Sequence, residues 1–243
     1  MGRAVTDQQT VTPASARRGR GLGVRLVRGF GWTLIATGVL ILLYLVYLLF
    51  FTNLQTGQAQ GELLDQWELE FGAPDDALPA EDIDATESEA EAVAPGDAYA
   101  ALWFERDGER IVHDETLYVV EGVSVADLRR GPGHYPDTAD PGEIGNVGLS
   151  GHRTTYGAPF YHLDQLQEGD TIHVVDRDNR EWVYAYREER VVQPTDVWVI
   201  DDDPLGTGGA LLTLTTCHPR LSAAQRLIVF ADLVGEPKAT EAA

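Results

Sequence analysis

Residues 211–233 read LLTLTTCHPRLSAAQRLIVFADL. Two runs rich in β-branched and apolar side chains, Leu211 to Cys217 and Arg226 to Leu233, flank a loop holding Pro219 and Ser222, and runs so bounded are strands. Working outward, the chain past Asp97 repeats this pattern, with Gly, Pro and Asp recurring every ten residues or so. Further strands are expected at Tyr99 to Phe104, Leu117 to Val120, Asn146 to Ser150, Thr171 to Asp176 and Trp182 to Val192, with Asp176 to Asn179 as a hairpin turn. Ser124 caps a short helix over Val125 to Arg129, and Pro159 to Leu166 fits one or two helical turns ending near Gly169. Seven or more strands in about 140 residues, with few helical turns, point to an all-β fold, a small and partly closed barrel.

The 243 residues carry 39 acidic and 18 basic side chains, a net charge of −21, which argues against a nucleic-acid groove. That charge is uneven. Residues 1–28 hold six Arg and one Asp, whereas Gly29 to Phe51 carry no charge at all. As a helix, those residues span about 34 Å, enough for a hydrocarbon core of about 30 Å. The Arg-rich flank precedes the span and no basic residue follows until Arg106. A single-pass anchor with a cytoplasmic N-terminus is therefore expected, and the span is too long for the apolar region of a cleaved signal.

Between Asn53 and Asp97 thirteen residues are acidic and none is basic. Residues 52–97 read as an acidic stalk, a spacer whose self-repulsion and low hydrophobicity oppose a packed core, although Leu64, Trp67 and Phe71 recur at helical spacing. The expected order is thus a basic tail (1–28), a transmembrane helix (29–51), the stalk (52–97), a catalytic domain (98–236) and a C-terminal tail (237–243).

Cys217 is the lone cysteine. It makes no intrachain disulfide, and no Cys-rich metal framework is possible. It closes a strand where a loop begins, which suits a nucleophile better than a core filler. A thiol of pKa about 8.5 needs a partner that favours the anion. Of the six His, His218 is adjacent but points to the opposite face of an extended chain. His173 sits within an alternating strand, His162 on a short helix, and His113 and His134 lack selecting motifs. His152 follows the strand ending at Ser150 and enters a loop, so two strand ends meeting in a barrel mouth would bring it to Cys217. Arg226 opens the last strand opposite the thiol, with Ile228 and Phe230 on its face expected to point into the barrel. Its fork can meet negative charge developing on a carbonyl oxygen. No dense ligand spacing supports a zinc site, and no metal or cofactor is expected.

Thr213 to Cys217 (TLTTC), Gly151-His152-Arg153, and Arg226 followed by Leu-Ile-Val-Phe-Ala together resemble the signature of the sortases, cysteine transpeptidases of Gram-positive surfaces. Residues 131–138 (GPGHYPDT) and Cys217-His218-Pro219 are most similar to class E of high-GC actinobacteria. The resemblance covers roughly residues 98–234. It implies an eight-stranded barrel, Cys217 as nucleophile, His152 as general acid and Arg226 as oxyanion or substrate stabiliser. It also implies cleavage between Thr and Gly of an LAXTG- or LPXTG-like C-terminal sorting signal on surface proteins. The acyl group would then pass to an amine of a peptidoglycan precursor or to a pilin Lys. By the same resemblance Thr216 helps shape the oxyanion site, and Tyr135 lines the pocket for the second motif position, leaving room for Ala rather than Pro, with Tyr156 as a further wall. The rival readings are an anchored Cys peptidase or peptidoglycan hydrolase, whose families place Cys before His, and a non-enzymatic surface module.

Overall fold

The computed structural model describes residues 21–79 and 93–237. Among the described residues ten strands form: β1 (Leu78–Pro79), β2 (Ala98–Arg106), β3 (Glu109–Arg110), β4 (Leu117–Glu121), β5 (Gly133–His134), β6 (Gly145–Ser150), β7 (Thr171–Val175), β8 (Arg180–Val192), β9 (Ala210–His218) and β10 (Gln225–Leu233). Eight of them close a circuit in the order β8-β10-β9-β6-β5-β4-β2-β7 and back to β8. Closure removes the exposed edges that an open sheet would leave. All seven strands read from the sequence are present. The eighth, β5, has only two residues, too short to produce an alternation pattern.

Ser124 caps α2 (Val125–Leu128) in a reciprocal box with Asp127, as its sequence position suggests. The turn at Asp176 to Asn179 joins β7 to β8, with Asn179 at φ 57° and its N–H donating to the Asp176 carbonyl. Of the turns expected between Pro159 and Leu166, one 3₁₀ turn forms, at Leu163–Gln165.

The barrel interior is filled by Val147 and Leu149 of β6, Leu212 and Leu214 of β9, and Leu227, Val229 and Ala231 of β10, among others. Strand alternation then sends Thr213, Thr215 and Cys217, with Arg226, Ile228 and Phe230, to the outer face. This corrects the expectation that Ile228 and Phe230 point inward. They pack with Val199 in a second cluster, beneath the 3₁₀ segment Val197–Ile200. Both faces of β10 are apolar, so a period of two cannot tell which lines the interior.

α1 runs over Leu22–Glu70. It is long and apolar enough to cross a membrane, and its apolar side chains from Val24 to Leu45 are exposed. Of the described residues, those up to Leu45 form one unit, and those from Val46 onward belong to the unit that contains the barrel. Within that second unit the spacer reading fails for the first part of the acidic segment. Thr52, Thr56, Leu63 and Trp67 are buried, and Leu63 and Trp67 share a cluster with Ala98, Ala101, Trp103, Tyr118 and Val120. A few large apolar side chains on one helical stripe outweigh the average polarity of the segment. The rest of the acidic stretch, residues 80–92, the N-terminal tail to residue 20 and residues 238–243 lie outside the described residues.

Candidate active site

Cys217 is the penultimate residue of β9 and is half-buried. Its antiparallel neighbour in β10 is Arg226, in direct register. Residues facing each other across such a pair share a face, with Cβ atoms about 4.5 to 5.5 Å apart. On its other side β9 runs parallel to β6, with Ser150 level with Thr215. The pairing reaches past the strand end, because the Gly151 N–H donates to the Thr215 carbonyl at 3.1 Å and the Thr216 hydroxyl donates to the Gly151 carbonyl at 2.7 Å. Continuing that register by one more residue sets His152 level with Cys217. Cys217 and Arg226 are thus direct neighbours on the outer face of the β9-β10 pair, at the strand ends rather than in a barrel mouth, and His152 follows the strand end on the other side of β9.

His152 is half-buried, and its Nε2 is enclosed without a hydrogen-bond partner among the described residues. Burial, and after it the positive charge of Arg129, hold its pKa below the ordinary imidazole value. The Tyr156 ring lies 4.9 Å from the imidazole, centroid to centroid, at 36°, and the Arg129 guanidinium lies 5.6 Å from the Tyr156 ring. Tyr156 thus contacts His152 directly. Arg226 donates through Nη1 to the carbonyls of Ala223 and Gln225 at 3.2 and 3.0 Å. A guanidinium has five N–H donors, so these two bonds leave it further capacity.

Thr216 is buried and points to the face opposite Cys217, its hydroxyl engaged with Gly151. Its side chain ties β9 to the residue before His152 and does not line the outer face. Tyr135 is half-buried. Its hydroxyl lies 3.3 Å from Oγ1 of Thr215, two residues before Cys217 on the same face, and its ring borders Gly148 so closely that a Cβ there would come within 3.0 Å of it.

Arg153 has no role readable from the sequence, although it follows His152. It is 2 % exposed, pairs with Asp164 at 2.9 Å and donates to the Cys217 carbonyl at 3.4 Å and to Nδ1 of His218 at 3.2 Å. Arg220 also holds Asp164, at 2.7 Å. Burial raises the Asp164 pKa, but the hydrogen bond from Arg220 and the charges of Arg153 and Arg220 outweigh it and leave the carboxyl below its usual range. His134 is likewise buried, between Glu121 at 2.9 Å and the Thr138 hydroxyl at 3.0 Å, and it stacks on Tyr99. Thr138 in turn donates to the Tyr135 carbonyl at 2.7 Å. Membership of the quoted stretches Gly151-His152-Arg153 and 131–138 is the sequence signal that both carry. His173 is bound to Glu181, His162, expected on a helix, precedes the 3₁₀ turn, and His162 and His113 make local contacts. Among the described residues no cluster of three or more His, Cys, Asp or Glu could hold a metal ion.

The family model described as "Sortase domain" matches residues 112–234. The chain belongs to the sortase family. Sortases are cysteine transpeptidases, and the closed eight-stranded barrel is their fold. The chain is 33 % identical to sortase E1 of Streptomyces coelicolor over 232 residues, which cover 89 % of the chain and 59 % of that relative. It therefore spans about three fifths of that protein's length. The crystal structure of the same sortase E1, with a tripeptide in the active site, is 34 % identical, covers 60 % of this chain and 93 % of that one, and superposes with a TM-score of 0.51. A sortase D5 transpeptidase of Clostridium perfringens is 26 % identical, covers 73 % and 99 %, and gives 0.56. The sortase resembles class E.

Proposed function

We propose that this sortase is a membrane-anchored, extracytoplasmic transpeptidase that cleaves a C-terminal sorting signal between Thr and Gly and transfers the acyl group to an amine. The observation that carries the reading is the register that sets Arg226 of β10 across from Cys217, with Ser150 of β6, two residues before His152, level with Thr215, two residues before Cys217. The Cys217 thiolate attacks the Thr carbonyl carbon, and Arg226 meets the negative charge that develops on the oxygen. His152, as imidazolium, protonates the departing Gly amine, leaving a thioester on Cys217. An incoming amine attacks that thioester, gives its proton to His152, and the thiolate leaves with the peptide joined to the acceptor.

The signal is LAXTG- or LPXTG-like and is carried by surface proteins. The acceptor is an amine of a peptidoglycan precursor, with a pilin Lys as the alternative. Sortase E1 of S. coelicolor, solved with a tripeptide in its active site, supports a peptide-binding groove. The uncharged span from Gly29 to Phe51, with its Arg-rich flank, supports a single-pass anchor in the cell membrane with a cytoplasmic N-terminus and the barrel outside.

The test is incubation of the full chain in detergent with LAXTG and LPXTG peptides, with and without an amine, followed by mass analysis. A Cys217 acyl-enzyme and an amine-dependent ligated product are expected. Hydrolysis alone with every amine tried would favour a peptidase. Protease added to intact protoplasts should remove the barrel, and its survival would reverse the orientation.

A further inference from the structure

The helix segment read from its sequence as part of an inert spacer touches the loop that carries His152. Asn53, Thr56 and Gln60 lie on one stripe of α1, at intervals of three and four residues. Thr56 is 3 % exposed, and its hydroxyl lies 2.8 Å from the Arg129 carbonyl and 3.1 Å from the Thr52 carbonyl. Gln60 is clamped to the barrel, donating to the carbonyls of Tyr118 and Arg130 at 2.8 and 3.0 Å and accepting from the Tyr118 N–H at 2.8 Å. Oδ1 of Asn53 accepts from the Gly157 N–H at 3.1 Å. The helix lies so close to Gly157 that a Cβ there would come within 3.0 Å of the Thr56 methyl.

What these contacts hold is a strained loop. Tyr156, Gly157 and Ala158 have φ of 52°, 73° and 47°. Left-handed backbone at two non-glycine residues costs free energy and persists only where surrounding structure over-determines it. Asn53 and Thr56 supply such constraint at the central residue. The chain of contact then continues. Arg129, whose carbonyl Thr56 engages, places its guanidinium by the Tyr156 ring, and that ring packs on His152.

We infer that Asn53 and Thr56 are positioning residues for catalysis, the juxtamembrane helix fixing Tyr156 and Arg129 and, through them, the imidazole of His152. The inference rests on the reading of His152 as the proton-transfer group. By it, the helix that follows the membrane span is part of the active-site scaffold, and the lowered pKa of His152 is a consequence of the enclosure the helix maintains.

The test uses the full chain in detergent micelles and compares the parent with N53A/T56V, T56V, T56S and H152A. Thr56→Val keeps the volume and removes the hydroxyl. For N53A/T56V the expected result is a fall in kcat of roughly 10- to 100-fold, the range for misplacing a catalytic group by about 1 Å. KM for the sorting peptide stays within about 2-fold. The acidic limb of the pH–rate profile moves up toward the ordinary imidazole value as His152 loses its enclosure, and T56S restores most of the loss seen with T56V. Unchanged kcat and profile in N53A/T56V overturn the inference. So does a fall in kcat that only follows a lowered Tm with the acidic limb unmoved, because that is a merely structural role. H152A separates the two readings: if it keeps parental activity, the assignment of His152 is wrong whatever the helix variants do.

Discussion

Arg226 and Cys217 face each other across the antiparallel β9–β10 pair, on the outer surface of the barrel rather than in its core. Adjacent registered strands hold the two Cβ atoms at a separation set by the backbone, so the spacing of the pair does not depend on a mobile loop. Cys217→Ala is expected to abolish both cleavage and transfer. Arg226→Ala is expected to lower kcat/KM by roughly 10²- to 10³-fold, the cost of one oxyanion donor, and Arg226→Lys to recover little, since a point charge lacks the fork. Steady-state kinetics with a quenched sorting peptide measure both. Near-parental activity in Arg226→Ala would remove Arg226 from the reaction.

His218 follows the nucleophile but is held away from it. Arg153 can only donate, so Nδ1 of His218 carries its lone pair toward the guanidinium. His218→Ala should therefore retain activity within a few-fold, while His152→Ala loses several orders of magnitude. Arg153→Ala should cost about 1 to 3 kcal/mol of stability, because it strips hydrogen bonds from the Cys217 carbonyl and Asp164. Urea unfolding of the three variants, beside their kinetics, separates a positioning loss from a chemical one.

The pH dependence follows from His152. Its pKa in the fold is lowered by burial and then by Arg129. The reactive pair needs a thiolate and an imidazolium together, so kcat/KM should be bell-shaped, with an acidic limb below about 6.5. Arg129→Gln should move that limb upward. For stability the sign is the same as for any group whose folded pKa is depressed. Above about 6.5 the imidazole is neutral folded or unfolded, and stability is lost as pH falls toward the folded value because the unfolded chain takes up the proton first. The drop in Tm between pH 7 and 5 should be smaller in His152→Gln than in the parent.

Selectivity at the second motif position is expected to depend on Tyr135, whose hydroxyl reaches Thr215 and whose ring borders Gly148. Steric relief and a backbone amide that Pro lacks favour Ala by about 1 to 3 kcal/mol. That is roughly 5- to 150-fold in relative kcat/KM. Tyr135→Ala should erase most of the LAXTG over LPXTG preference. An unchanged ratio in a folded, thiol-reactive variant would take Tyr135 out of the pocket.

Trp67 is fully buried against Phe71 and Tyr118, in an otherwise acidic stretch. Trp67→Ala should cost about 3 to 5 kcal/mol, the range for truncating a buried aromatic. A loss below about 1 kcal/mol on denaturant unfolding would mean that this helix segment is not integral to the barrel.

The strands, the membrane-length helix and the placing of Cys217 and Arg226 near facing strand ends were legible in the sequence. Those depend on local periodicity, on an uncharged span and on motifs short enough to read in order. Which face of β10 is interior is settled by packing, because Ile228 and Phe230 are as apolar as Leu227 and Val229 and a covering segment remote in sequence, Val197–Ile200, makes the outer face dry. Tertiary contacts also decided that Thr216 ties strands together, that Arg153 is buried beside the nucleophile, and that residues after Thr52 pack on the barrel. In each case the deciding partner is remote in sequence: Gly151 for Thr216, Asp164 and His218 for Arg153, and Tyr118 and Gly157 for the helix. Average composition describes a segment in water, whereas burial depends on the few side chains that find a partner surface.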